Sequence, residues 1–295
     1  MGILNRMQYT PISFKLLNAL QRGKRRLSGE AQKKVASFVS SHLAENGGFM
    51  DKNGEADLYY TAFGLMLAYI LKLNINTDIT EQWLDKQESQ LSDLVYGSAH
   101  IRSRILCRLL KAGKLSFAVS QLFRTSQTLP AFTDYPHDDI YSPYSQFLAL
   151  SLREDMGIKT TNRQEILTSL SAYRVESGGY GNIRGSKQAT TNATVAALAV
   201  KGQLCGYSDN DDIRYLFSSQ DESGGFFAGI STPVPDLLST ATALFMLKCY
   251  GVASRFDAED FIEAHWLPSG GFGATLLDET GDVEYAFYGL LALGV

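Results

Sequence analysis

The sequence predicts an all-α chain of six helical hairpins closed into an α/α toroid, with an inner and an outer ring of helices. Three observations predict it: a repeat restarting at a Gly-Gly pair, an alternation of amphipathic with uniformly apolar helical segments, and little sustained period-two patterning of the strand type.

The repeat comes first. Gly178-Gly-Tyr-Gly, Gly224-Gly-Phe-Phe and Gly270-Gly-Phe-Gly begin 46 residues apart each time. Each is followed by a polar loop and an Ala-rich apolar run beginning at Asn192, Ser239 and Tyr285. A fourth copy opens the chain at Gly47-Gly-Phe-Met, with its apolar run from Tyr60. The 131 residues between Gly47 and Gly178 hold two weaker copies. One runs through Asp93–His100 and a helix over 101–110, the other through Phe132–Asp139 and a helix over 144–152.

Each period holds two helices. Amphipathic stretches at 31–43, 165–173, 211–217 and 258–264 precede the glycines, and uniformly apolar ones follow. An amphipathic helix keeps one face in water, whereas a helix apolar all round is buried, so the two kinds read as outer and inner rings. The first glycine of each pair stops the outer helix, because glycine adopts the left-handed backbone without strain. Asp57, Asp236 and Asp282 stand just before apolar runs, where an N-cap belongs. Uniformly apolar inner helices favour a closed ring with a central funnel over an open solenoid.

Composition bounds the rest. A chain of 295 residues, 45% hydrophobic, can bury one large core, and we expect one domain over 1–295: a helical extension over 1–30, then six repeats from about 31. The net charge of −4 gives no electrostatic pull toward nucleic acid. The basic run Arg22-Gly-Lys24-Arg25-Arg26 reads as a solvated helix end, with contact to an anionic membrane or partner as the sharper reading. Cys107, Cys205 and Cys249 are far apart and odd in number, which fits a reducing compartment. With no apolar run approaching a membrane span, and no signal-peptide stretch, a cytoplasmic location is expected.

Gly-Gly-Phe/Tyr, a loop, then Asp and Thr/Tyr-Ala at an inner helix resembles the prenyltransferase and squalene/terpene cyclase repeat, from about Ala31 to Val295. The β-subunits of protein prenyltransferases are the nearest likeness. Pro235-Asp-Leu-Leu-Ser-Thr-Ala resembles their zinc segment, and Asp282-Val-Glu-Tyr-Ala resembles the helix bearing their zinc histidine. The resemblance implies an aromatic-lined funnel that binds an isoprenoid or other hydrophobic small molecule, and it leaves room for a partner subunit. Asp236 matches the zinc aspartate, but Leu238 and Tyr285 stand where cysteine and histidine belong. A catalytic zinc needs about three good protein ligands, so neither metal nor cofactor is expected. Proton-initiated cyclases carry Asp-x-Asp-Asp; here only Asp236 of that set remains.

Chemistry then falls to carboxylates and aromatics. Asp57, Asp138, Asp139, Asp236, Asp282 and Glu284 would gather at the mouth, where the inner helices begin, each a helix cap or a proton donor. The expected catalytic set is Asp236, Asp138, Asp139, Asp282, Glu284 and Tyr285. Tyr59, Phe63, Tyr144, Phe147, Phe245, Phe287 and Tyr288 would line the funnel and stack on an isoprenoid, with Asp57 at its rim. Arg184 and Lys187 would meet an anionic headgroup. His100, Arg104 and Arg108 share one helix face, with Arg102 beside them, and this basic stripe would either pair with acids of a neighbouring hairpin or bind a diphosphate or carboxylated ligand. Two functions follow: an isoprenoid-handling enzyme without zinc, or a binding or scaffold subunit that kept the toroid and lost the chemistry. Membrane contact at the periphery stays open.

Overall fold

The computed structural model describes residues 5–7, 9–87, 93–112, 140–208 and 210–295. Asp138 and Asp139 lie outside them. Twelve helices are described: α1 (Ile12–Arg26), α2 (Gly29–Ser41), α3 (Leu58–Leu71), α4 (Thr77–Gln87), α5 (Leu94–Ala112), α6 (Pro143–Asp155), α7 (Arg163–Leu170), α8 (Thr191–Leu204), α9 (Asn210–Ser218), α10 (Leu237–Cys249), α11 (Glu259–Ala264) and α12 (Val283–Leu293). The strands are two-residue pairs: Asn5–Arg6 with Tyr207–Ser208, and Phe49–Met50 with Ala56–Asp57.

Helices α3, α5, α6, α8, α10 and α12 form the inner ring, each packed on the next, and α12 returns to α3. Every inner helix opens on a short polar side chain. Asp57, Asp93, Ser142, Thr190, Asp236 and Asp282 accept hydrogen bonds from backbone N–H groups of the first turn. Each such cap contributes about 1 kcal/mol and places the helix starts at one end of the ring. The helix expected over 101–110 begins earlier, at Leu94, because Asp93 caps it.

The glycine pairs join neighbouring hairpins. Gly47, Gly178, Gly224 and Gly270 all have φ between +90° and +97°, the conformation that ends each outer segment. The second glycine receives an aromatic ring from the next outer helix: Gly48 meets Trp83, Gly179 meets Tyr215, and Gly225 meets Phe261. Gly271, in the last hairpin, meets Phe38 of α2, so the same contact closes the ring. The aromatic residue after each pair packs beneath its own hairpin. Phe49, Tyr180 and Phe226 are buried and donate their N–H to Thr61, Thr194 and Thr240 of their inner helices.

Helix α1 crosses the other end of the ring, packed on α12, α3 and α6. Gly23 and Gly294 have no side chain to hold it away from the backbone of Leu290 and Ala19. Its basic residues face the inner helices' C-termini. Arg22 Nε donates to Gly294 O at 2.7 Å, and Lys24 Nζ donates to Ile70 O at 2.9 Å. Cations belong there, where unpaired carbonyls carry the negative end of the helix dipole. Two residues of the basic run thus have a structural use.

Candidate functional site

The inner ring encloses a cavity of about 390 Å³, within the about 300–1,000 Å³ typical of small-molecule sites. Ile12 and Leu16 of α1 form its floor. Its walls carry the expected aromatics: Tyr59 and Phe63 from α3, Tyr144 and Phe147 from α6, Phe245 from α10, and Phe287 and Tyr288 from α12. A larger groove on the outer face, about 740 Å³, is polar and open. Arg174 and Arg214 there pair with Asp211, and we attach no chemistry to it.

The aromatics form a continuous cluster between α3 and α12. Tyr59 meets Phe63 edge-on at 4.9 Å, Phe63 meets Phe287 at 5.0 Å, and Phe287 meets Tyr288 at 5.3 Å. Edge-to-face pairs turn ring faces toward the space beside them, and such faces attract positive charge.

Behind Tyr59 stands Glu284. The Tyr59 hydroxyl donates to Glu284 Oε1 at 2.6 Å. Glu284 is 8% exposed, and burial pushes its carboxyl pKa up; the Asp282 charge adds to this, while the Tyr59 bond and Lys52 oppose it. Burial also raises the Tyr59 phenol, so the phenol stays protonated. Asp282 is 1% exposed; Oδ1 accepts from Tyr285 N–H, and Oδ2 lies 3.6 Å from Lys52 Nζ. Lys52 also sits 5.2 Å from the Tyr285 ring. Asp57 caps α3 with one oxygen and accepts from the Tyr96 hydroxyl with the other.

The remaining expected residues are placed otherwise. Asp236 caps α10, and both its oxygens are held by Ser239, one by the N–H at 2.7 Å and one by the hydroxyl at 2.8 Å. Burial raises its carboxyl pKa against those bonds. Arg184 and Lys187 are exposed and outside the cavity wall, with Arg184 over the outer Tyr173 ring at 5.8 Å. From that loop it is Asn182 that lines the cavity. His100 and Arg104 face α4, the outer helix of their own hairpin, bonding to Leu84 O at 3.0 Å and Asp85 Oδ1 at 2.6 Å, rather than acids of a neighbouring hairpin.

Sequence reasoning overlooked Ser98 and placed Arg102 only beside the basic stripe. They face the cavity from α5, beside Val95 and Ala99. Their i, i+4 spacing was readable, but choosing the cavity face over the α4 face needed the neighbouring helix.

The residues at the family's zinc positions do not form a ligand set. Asp236 is bound by Ser239, Leu238 is a cavity wall, and Tyr285 keeps a phenol whose pKa burial raises. Among the described residues no three of His, Cys, Asp and Glu come together in a group that could hold a metal.

A closed ring of helical hairpins around an apolar cavity defines an α/α toroid. The family model of the prenyltransferase alpha-alpha toroid domain matches residues 4–99 and 122–294, and the chain belongs to that family. No curated protein matches it. Among the described residues no helix is long and apolar enough to cross a membrane.

Proposed function

We propose that this toroid binds an isoprenoid or a similarly long apolar molecule in its inner cavity and acts on it as a zinc-free, terpene cyclase-like or prenyltransferase-like enzyme in the cytoplasm. One observation carries the reading: the Tyr59 hydroxyl, on the wall of an aromatic cavity, is hydrogen-bonded at 2.6 Å to the buried Glu284.

A carboxyl kept protonated by burial can act as a general acid. With Glu284 protonated the hydrogen bond runs the other way, its carboxyl O–H donating to the Tyr59 oxygen. The Tyr59 hydroxyl turns its own proton to a double bond of the ligand as Glu284 supplies the replacement, so no free phenolate forms. The carbocation that forms lies against the faces of Phe63, Phe287 and Tyr288. It closes on a second double bond and loses a proton, which regenerates the acid pair. Asp282 supports the site by raising the Glu284 pKa, and Asp236 holds the start of α10. Asp138 and Asp139 keep a candidate role as further proton donors.

A binding subunit without chemistry is the second reading, favoured by the local use of both Asp236 oxygens. Native mass spectrometry with farnesol, geranylgeraniol and their diphosphates tests the first step, and also reveals any partner subunit that co-purifies. Product analysis after incubation, for wild type and Glu284→Gln, separates the readings. A bound isoprenoid that leaves unchanged in both proteins sinks the enzyme; no binding at all sinks both isoprenoid readings and leaves a scaffold subunit.

A further inference from the structure

Several polar atoms on the cavity wall already have partners. The Tyr59 hydroxyl is bound to Glu284, Asn192 Oδ1 accepts from Thr242 Oγ1, and Asn182 Oδ1 accepts from Tyr144 N–H. Two fully buried polar atoms of wall residues have no hydrogen-bond partner among the described residues: Arg102 Nε and Ser98 Oγ, the latter on a residue 2% exposed. An unpaired hydroxyl in an apolar wall is a standing cost that a suitably placed ligand oxygen removes.

One helical turn further on, Arg102 borders the same cavity. Its guanidinium is held from behind. Nη2 donates to Ser151 Oγ at 2.9 Å, and Nε lies 3.7 Å from Asp155 Oδ2, which accepts from Ser13 Oγ at 2.9 Å. Asp155 therefore offsets much of the arginine charge, and what reaches the cavity is a donor of modest net charge. The inner-helix starts are acidic, with Asp282 and Glu284 near Lys52 and Asp57 bound by the Tyr96 hydroxyl. Arg184 and Lys187 lie outside the cavity wall. A diphosphate, carrying several negative charges, needs clustered cations or a nest of N–H groups, and this arrangement supplies neither.

We infer that Ser98 together with Arg102 forms a subsite for a single uncharged oxygen, a hydroxyl, carbonyl or epoxide, on an otherwise apolar isoprenoid-sized ligand. The inference rests on the proposed isoprenoid function and narrows it: the substrate is an oxygenated neutral isoprenoid rather than a diphosphate ester. Ser98 accepts from a ligand hydroxyl or donates to a carbonyl or epoxide oxygen, and Arg102 donates to any of the three.

Calorimetric titration with three ligands of one carbon skeleton tests it: farnesol, farnesene and farnesyl diphosphate. Wild-type protein is expected to bind farnesol about two- to tenfold more tightly than farnesene, the range of one added hydrogen bond, and more tightly than the diphosphate. Ser98→Ala removes no existing bond, so its melting temperature should stay at or above wild type. Its affinity for farnesol should fall to that for farnesene, with farnesene unchanged. Equal farnesol and farnesene binding in wild type overturns the subsite alone, as does an equal loss for both ligands in the variant. Tightest binding of the diphosphate also overturns it. If none of the three binds, the isoprenoid reading falls and the subsite falls with it.

Discussion

Gly271 of the last hairpin lies so close to Phe38 of the first that a Cβ there would come within 2.5 Å of Phe38 Cζ. Three earlier pairs of neighbouring hairpins make the same contact, and here it joins the two ends of the ring. Gly271→Ala must push the Phe38 ring aside or part α2 from the last hairpin. Overpacking of this kind costs about 1–3 kcal/mol. Urea unfolding should show that loss, and hydrogen exchange should show faster opening of α2. Gly54→Ala is the contrasting variant. Gly54 has φ +86° but nothing within 4 Å, so only backbone strain of about 1 kcal/mol is expected, with α2 protection unchanged.

Glu284 and Tyr59 should act as one acid. Burial holds the Glu284 carboxyl above its ordinary pKa, so the protonated form persists into a range where an exposed glutamate has ionised. Turnover of an isoprenoid such as farnesol should be constant at low pH and fall as pH rises through the folded-state pKa. Glu284→Gln keeps an acceptor for the Tyr59 hydroxyl and removes a buried acid of raised pKa, so stability should be kept at low pH and rise relative to wild type as pH climbs through the folded-state pKa. Turnover should fall by about 10²–10⁴, the usual contribution of a general acid. Tyr59→Phe should lower turnover as well while leaving farnesol binding within about threefold. A pH profile unchanged in Glu284→Gln would remove it from the chemistry.

Much of this architecture was legible in the sequence because the repeat repeats its local physics. Gly178, Gly224 and Gly270 mark the same left-handed turn, and the capping aspartates announce the inner helices before any contact is known. The uniformly apolar runs told which ring each helix belongs to. What could not be read was direction. Arg184 and Lys187 sit in the right loop, yet lie outside the cavity wall with Arg184 on Tyr173. His100 and Arg104 turn to α4 while Ser98 and Arg102, on the same helix, turn to the cavity. A helix face acquires its meaning from the helix packed against it, and hairpin-to-hairpin neighbours are set by ring closure rather than by residue spacing. The Tyr59–Glu284 bond spans 225 positions of sequence and exists only because α12 returns to α3.

The three cysteines should differ sharply in reactivity. Cys107 is fully buried, and burial pushes its thiol up to about 12. Cys249 is partly buried and is pushed up to about 11 for the same reason. Cys205 is exposed. Thiolate, not thiol, reacts with disulfide reagents, so folded protein at pH 8 should release one equivalent rapidly from an aromatic disulfide reagent, and Cys205→Ser should abolish that phase. Denaturant should expose the other two. Rapid labelling of Cys107 in the folded protein would show that α5 opens far more readily than its packing allows.

Glu154 ties stability to pH at the floor of the cavity. It accepts from Ile12 N–H at 3.0 Å, where α1 begins, and lies 3.4 Å from Gln203 Nε2. Burial pushes its carboxyl up to about 7; the Asp155 charge adds to that, while the Ile12 bond and Lys15 oppose it. The folded state then holds the proton more tightly than the unfolded chain, whose glutamate titrates near 4.3. The resulting stabilisation is full below about pH 4 and is lost as pH rises through about 7, by about 3–4 kcal/mol for this one group. Glu154→Gln cannot ionise and still accepts from Ile12, so it should match wild type near pH 4.5 and exceed it at pH 8 by about that amount. Asp155, also raised by burial, keeps a slope of its own in both proteins. The difference between two urea-unfolding series, taken from pH 4.5 to 8, isolates Glu154. A difference that stays flat across that range would mean that α1 does not keep water from this carboxyl.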